Sequence, residues 1–193
     1  MSNSIDKQKN TGRPLADESK EKILFTAMQL FARHGFHKTP AALIAREAGI
    51  SHGLMFYHFG SKEGLLKEII EYCIQKINNI IDVSPQDQPI RQLEQISQRF
   101  RESLEEETHF WELYHSLVFQ PDMKNTLARE LITAFDPYRN QLVHIFEQLG
   151  YLNARDTMQQ FETMRQGITV SYLFYGKSYP LKKLFQHLMD RFS

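Results

Sequence analysis

The chain of 193 residues contains one cysteine, Cys73. A single cysteine excludes an intrachain disulfide and a metal cluster built from cysteines. Cys73 stands on a stripe of apolar residues at helical spacing. We therefore predict that it is a small buried hydrophobe, with a redox sensor as the alternative.

Long apolar runs are also missing. The first 20 residues, MSNSIDKQKNTGRPLADESK, have no apolar core of signal-peptide length. No later run approaches the roughly 18 apolar residues that a membrane span needs. We expect a cytoplasmic protein with no membrane partner.

The chain as a whole has a net charge of zero, because 23 Lys and Arg balance 23 Asp and Glu. The first 60 residues nevertheless hold eight Lys and Arg against five Asp and Glu. This modest positive excess suits a nucleic-acid-binding face. With 41% hydrophobic residues, the chain can bury a core in one domain or in two small ones.

Residues 39–66, TPAALIAREAGISHGLMFYHFGSKEGLL, are the most informative segment. Thr39 is placed to cap a helix that starts at Pro40. Gly49 suits the left-handed conformation that follows a helix end. Ser51 is placed to cap a second short helix. The segment predicts two helices around a turn, over about residues 40–59, which is the outline of a helix-turn-helix that reads DNA.

The second helix presents an unusual set of side chains. Met55 and Phe59 are predicted to pack inside. Ser61 and Lys62 open a further helix, where amide donors and an ammonium favour a phosphate. Gly53 leaves room for a backbone or base to approach closely. The remaining side chains of the second helix are free for other surfaces: His52, Phe56, Tyr57 and His58.

This segment resembles the DNA-binding domain of the TetR family of bacterial transcriptional regulators. The resemblance extends upstream through KEKILFTAMQLFARHGFHKT and covers about residues 19–66. It implies a reading helix over 51–59, with Phe56 and Lys62 facing the DNA backbone and His52, Gly53 and Tyr57 nearest the bases. The predicted DNA-binding residues are Thr39, Ser51, His52, Gly53, Phe56, Tyr57, His58 and Lys62.

The sequence departs from the family pattern at Pro40, Leu54, Phe56 and Gly64. Three of these changes remove hydrogen-bonding groups. Gly64 lacks the carboxylate that would complete a capping box with Ser61.

From Ser61 onward the apolar residues recur at steps of three and four, which predicts helix after helix. We predict an all-α fold in which a three-helix DNA-binding domain, residues 17–77, joins a larger helical domain, residues 78–193. Residues 1–16 are predicted to be a flexible polar arm. The arm either reaches a minor groove or is a plain disordered tail. Pro137 is expected to kink or break one helix, and Gly150 to end it.

The middle of the second domain is rich in aromatic rings. Such rings at helical spacing commonly form a core, but TetR-like proteins keep an effector pocket in this region, so the resemblance implies a small, largely apolar effector. The predicted pocket residues are Phe100, Phe110, Trp111, Tyr114, His115, Phe119, Phe135, Tyr138 and Arg139.

The last two helices are expected, by the same resemblance, to form a homodimer interface, with packing inside the chain as the alternative. Small residues four apart let a partner helix approach closely. The predicted interface residues are Gly167, Ser171, Phe174, Leu181, Leu184, Phe185 and Leu188.

The predicted function is a ligand-responsive regulator, a repressor that binds a palindromic DNA operator as a homodimer and is released by its effector. We predict no enzymatic activity, cofactor or metal. Two alternatives stay open. Residues 49–53 fit the G-x-S-x-G pattern of a hydrolase with Ser51 as nucleophile, although that pattern needs a preceding strand. The second alternative is a helical ligand-binding protein without DNA function.

Overall fold

The computed structural model describes residues 12–84, 86–119 and 121–192, and the side chains of 20–84, 86–119 and 133–192. Every regular element in these ranges is helical, which confirms the predicted all-α class. None of the described helices is long and apolar enough to cross a membrane. The α-helices are α1 (Gly12–His34), α2 (Ala41–Ala48), α3 (His52–Phe59), α4 (Lys62–Ile81), α5 (Pro89–Glu106), α6 (Thr108–Val118), α7 (Pro121–Gln148), α8 (Ala154–Tyr175) and α9 (Leu181–Phe192).

The chain divides into two compact units between Ile69 and Ile70, inside α4. The sequence predicts this boundary after residue 77, within the apolar stripe of the same helix. Residues of α4 thus belong to both units, and a continuous helical pattern gives no signal for where one core ends and the next begins.

The first unit buries apolar side chains from four helices around one core. Apolar residues spaced three and four apart on α1 face this core, as their periodicity predicts. The short helices α2 and α3 and the first turns of α4 supply its other walls. The fully buried members are Ile23, Ala27, Met28, Phe31, Ile44, Ala48, Met55 and Leu65.

Helix α1 begins at Gly12, so residues 12–16, expected in the arm, lie in its first turns. Pro14 is compatible with this start, because the first amides of a helix need no intrahelical acceptor. Residues 1–11 lie outside the described residues.

The second unit is built from α5 to α9 together with the end of α4. Pro137 lies inside α7, which continues through it instead of breaking. Gly150 ends this segment at a φ of 88° and donates its amide to Glu147 O, as predicted. The fully buried members of the second core include Leu93, Ile96, Leu104, Leu142, Ile145, Phe146, Phe161 and Leu188.

Cys73 is 4% exposed, which confirms the prediction of a buried side chain. Burial raises the pKa of its thiol to about 12. Because the thiolate is the reactive form, this environment favours an inert cysteine over a redox sensor.

Candidate nucleic-acid interface and ligand region

The turn between α2 and α3 is built by the residues that the sequence indicated. Gly49 adopts a φ of 68° and donates its amide to Arg46 O at 3.0 Å, which ends α2. Ser51 Oγ accepts a hydrogen bond from Leu54 N at 3.1 Å and caps α3. The predicted roles of both residues in the turn are confirmed.

Helix α3 has one buried face and one exposed face. Met55 and Phe59 are buried, as predicted. Tyr57 is 83% exposed and Phe56 39%. The ring of His52 lies against that of Phe56, with centroids 4.7 Å apart. Predicted contact residues are therefore presented together on the surface, with Gly53 also exposed and His58 half-buried.

Thr39 has a different role from the predicted one. Its side chain is fully buried, and its hydroxyl is directed at Gly35 O at 2.8 Å and Leu30 O at 3.3 Å. The N-cap position of α2 belongs to Pro40, with no side-chain cap. A buried hydroxyl needs an internal acceptor, and here the last turns of α1 provide Leu30 O and the following loop provides Gly35 O. Thr39 therefore neither caps α2 nor is accessible to DNA.

Lys62 also points inward. Its ammonium donates to Phe36 O at 2.9 Å and to Thr39 O at 3.2 Å, and it lies 4.4 Å from the centroid of the Phe36 ring. Two carbonyls and an aromatic face satisfy a cation well. Lys62 thus ties the loop between α1 and α2 to the start of α4, instead of projecting towards a DNA backbone as we had predicted.

Gly64 has a steric role that sequence reasoning missed. Its amide donates to Ser61 Oγ at 2.9 Å, so Ser61 caps α4. A Cβ atom at position 64 would stand 2.0 Å from Phe59 O, far inside contact distance. The glycine therefore permits a close approach of α3 and α4.

The aromatic segment of the second unit is mostly packed as core. Phe100, Phe110, Trp111 and Tyr138 are buried, and Trp111 Nε1 donates to Ser103 Oγ at 3.0 Å. The other predicted pocket residues are more accessible: Tyr114, His115, Phe135 and Arg139 are half-buried, and Phe119 is exposed.

A buried ion pair lies beside these rings, and sequence reasoning missed it. Arg165 donates through Nε and Nη2 to the two carboxylate oxygens of Glu162, at 2.8 and 2.7 Å. The Tyr138 hydroxyl donates to the same carboxylate, and the Arg165 guanidinium lies 4.0 Å from the Phe100 centroid. The pair was hidden because i, i+3 charges on α8 are typical of a solvated helix face.

Burial and charge act against each other on this ion pair. Burial alone would raise the pKa of Glu162, but the charge and hydrogen bonds of Arg165 outweigh it, so the pKa of the carboxyl is lowered. Burial raises the pKa of Tyr138 well above its ordinary value. Both groups therefore hold a fixed protonation state near neutral pH, Glu162 charged and Tyr138 neutral.

A groove of about 940 Å³ lies at the end of α8 and along α9, and its lining includes none of the predicted pocket residues. Three lysines and two tyrosines contribute to its walls. Its lining includes Tyr172, Lys177, Tyr179, Lys182, Lys183 and His187.

The predicted dimer residues separate into two groups. Leu181, Phe185 and Leu188 of α9 are buried inside the unit, because the apolar face of α9 packs on α5 and α8. This arrangement corresponds to packing inside the chain, the alternative to a dimer interface. Leu184 and Ser171 are half-buried, and Gly167 is exposed.

Helix α8 carries the exposed apolar surface instead. Phe174 is 79% exposed, Val170 45% and Met164 41%. Together with Gly167 and Ser171, these residues lie on one face at steps of three and four. We call this set the α8 stripe. Sequence reasoning found three of its members and missed Met164 and Val170.

Residues 23–69 match the sequence pattern of a protein family described as "Bacterial regulatory proteins, tetR family". The regulator YerO of Bacillus subtilis is 46% identical over 68 residues, which are 33% of this chain and 24% of YerO. The negative transcriptional regulator IcaR of Staphylococcus aureus is 34% identical over 62 residues, 32% of this chain and 33% of IcaR. The chain spans about a quarter to a third of the length of the curated relatives it matches.

A solved structure of a regulator from Saccharomonospora viridis, in complex with choline, superposes with a TM-score of 0.62 at 20% identity. The match covers 90% of this chain and 95% of that one, so the likeness of fold extends through the second unit. The turn between α2 and α3 and the matched residues 23–69 define a helix-turn-helix DNA-binding domain. In this domain the chain is similar to bacterial regulators of the TetR family.

Proposed function

We propose that the protein is a ligand-responsive repressor that binds a palindromic DNA operator as a homodimer. The observation that carries the proposal is the exposed face of α3, where His52, Phe56 and Tyr57 stand together beyond a capped turn. A short helix presented in this way is the element that enters a major groove. Repression is favoured by IcaR, which is named a negative regulator.

The backbone of the DNA is expected to meet helix ends and surface cations. Helix α2 begins at Ala41 with no side-chain cap, so its first amides are available to a phosphate. Lys38 is exposed in the preceding loop and adds positive charge nearby in sequence. Such contacts position the protein and make its affinity depend on salt, while α3 reads the bases.

Dimerisation through the α8 stripe supplies the second reading helix. Gly167 and Ser171 are small enough for a partner helix to approach closely, and Phe174 and Val170 provide apolar area. A two-fold pairing places the same stripe of both copies in contact. Two reading helices then require half-sites about one helical turn, or a multiple of it, apart.

The effector is expected in the second unit, where half-buried Tyr114 and His115 border the buried rings. The Saccharomonospora relative holds a small molecule, choline, in a similar fold. A coupling free energy of about 1–3 kcal/mol between effector and operator changes operator affinity roughly fivefold to a hundredfold. We propose a small, largely apolar effector with a few polar contacts.

The test is selection of bound fragments from a random DNA pool at near-physiological salt, followed by sequencing. Enrichment of a palindrome supports a dimeric reader. The variant Tyr57→Ala should lose that preference, whereas Leu152→Ala, which removes another fully exposed apolar side chain, should retain it. Failure to enrich any sequence would favour a helical ligand-binding protein without DNA function.

The hydrolase alternative finds little support in the turn. Residues 49–53 join two helices, whereas a nucleophile elbow joins a strand to a helix. Ser51 Oγ accepts a hydrogen bond from Leu54 N, as a cap does. The same selection experiment separates the two functions, because a hydrolase that uses Ser51 as nucleophile is not expected to enrich a DNA sequence.

A further inference from the structure

We infer that α3 selects A·T-rich half-sites by packing apolar side chains against the C5-methyl groups of thymine. This inference rests on the proposed DNA-binding function and adds the chemistry of the bases that are read.

The exposed apolar side chains of the first unit are concentrated on α3. Among its residues with described side chains, 20–69, the exposed large hydrophobics are Leu54, Phe56 and Tyr57, and all three lie on this eight-residue helix. Leu54 is 37% exposed. Exposed apolar groups that gather on one short element mark a contact surface.

The residue types on α3 exclude the commonest ways of reading the other bases. Its sequence, HGLMFYHF, has no Arg or Lys to pair with guanine, no Asn or Gln to pair with adenine, and no Asp or Glu to accept from cytosine. Thymine differs from the other bases by a methyl group in the major groove, which apolar side chains contact. The exposed face of α3 therefore matches thymine better than any other base.

The geometry of α3 suits close packing on such methyl groups. The Phe56 ring is held against His52, and the Tyr57 ring lies edge-on to His58 with centroids 5.5 Å apart. A Cβ atom at Gly53 would meet no heavy atom within 4 Å, so this part of the helix surface is open to a base edge. Rings already held in place lose little freedom on binding.

The test uses the unaltered protein and a duplex obtained from the selection experiment. Each thymine is replaced in turn by 2′-deoxyuridine, which removes only the methyl group and keeps the base pair. We expect about a three- to fivefold loss of affinity at one or more thymines in each half-site, the effect of removing one buried methyl group.

Variants then identify the side chain that meets each methyl group. In Leu54→Ala or Phe56→Ala, deoxyuridine at the contacted position should cause no further loss, because the two changes remove the same contact. Leu152→Ala is the matched control, since Leu152 is fully exposed but belongs to the second unit. In this control, each deoxyuridine should cost as much affinity as it does with the unaltered protein.

Three results would overturn the inference. Unchanged affinity with deoxyuridine at every thymine of a selected site would refute methyl reading and leave the regulator function standing. A selected site whose specified positions are all G·C would likewise refute methyl reading and leave the regulator function standing. If no sequence is enriched, the proposed function fails, and the inference fails with it.

Discussion

The carbonyl oxygen of Phe59 occupies the space that a side chain at Gly64 would need, 2.0 Å from the ideal Cβ position. Phe59 is the last residue of α3, and Gly64 lies in the first turn of α4. The end of α3 is therefore set against the start of α4 by the absence of a side chain. This relationship connects one glycine to the position of the face of α3 that we propose reads DNA.

Gly64→Ala is expected to destabilise the protein by about 1–3 kcal/mol, the usual cost of inserting a methyl group into a closely packed position. The backbone must move, since the obstructing atom belongs to a carbonyl and not to a flexible side chain. Thermal unfolding followed by circular dichroism measures the change. Because α3 must shift, operator affinity should also fall.

Gly53→Ala is the matched control, because it places the same methyl group on α3 where no heavy atom lies within 4 Å. In a helix this change favours folding by about 0.5–1 kcal/mol. If both alanine variants unfold at the same temperature, the close approach at Gly64 does not affect the stability of the protein.

Lys62→Met should destabilise the first unit while leaving the salt dependence of DNA binding unchanged. It removes two hydrogen bonds from a partly buried ammonium and its contact with the Phe36 ring, about 1–2 kcal/mol after allowance for solvent. The measurements are the free energy of unfolding and the slope of log affinity against log salt.

A phosphate contact would give the opposite pattern, with a shallower salt slope and little change in stability. Lys38→Met is the comparison, because Lys38 is an exposed lysine of the neighbouring loop. We expect this variant to retain the stability of the unaltered protein. A reduced salt slope in Lys62→Met would restore Lys62 to the DNA interface.

Rules that depend on neighbouring residues in the sequence predicted the turn between α2 and α3 correctly. They did not predict the direction in which some side chains point. Gly49 and Ser51 were predicted correctly because backbone conformation and capping depend on neighbours in sequence. Thr39 and Lys62 were assigned to DNA because a sequence does not show which acceptors lie inside a fold. Phe36 and Lys62 are 26 positions apart, and only the packed unit brings them together.

Helical periodicity has a similar limit in the second unit. The periodicity identified the apolar face of α9 but not the helices that cover this face. Leu181, Phe185 and Leu188 were therefore predicted to lie in a dimer interface, whereas α5 and α8 of the same chain cover them. The Glu162 and Arg165 pair was missed because a charge pair three residues apart is usually solvated. Residue type and spacing describe a face, and tertiary contacts decide what covers it.

Glu162→Gln is expected to be strongly destabilising at neutral pH, by about 3–5 kcal/mol, since it leaves the Arg165 charge buried without a counter-charge. Urea unfolding at several pH values measures this difference. The pKa of Glu162 is lowered in the folded state, so its contribution is complete above the unfolded value of about 4.3 and is lost as pH falls through the folded value. The difference between variant and unaltered protein should therefore shrink below about pH 4.

Glu105→Gln provides the comparison on the surface. Glu105 pairs with Arg101, but its side chain is 43% exposed, and such pairs contribute little because water screens them. We expect its unfolding curve to stay close to that of the unaltered protein at every pH. Equal effects of the two substitutions would show that burial of the Glu162 pair has no energetic consequence.

Phe174→Asp in the α8 stripe should dissociate the proposed dimer without unfolding the subunit, because Phe174 is 79% exposed. Sedimentation equilibrium measures the association, and circular dichroism the fold. Leu188→Asp should instead unfold the second unit, since it places a charge at a fully buried position. Phe119→Asp, at another exposed ring, should leave the mass unchanged. A dimer that persists in Phe174→Asp would remove the α8 stripe from the interface, and with it our account of the spacing between half-sites.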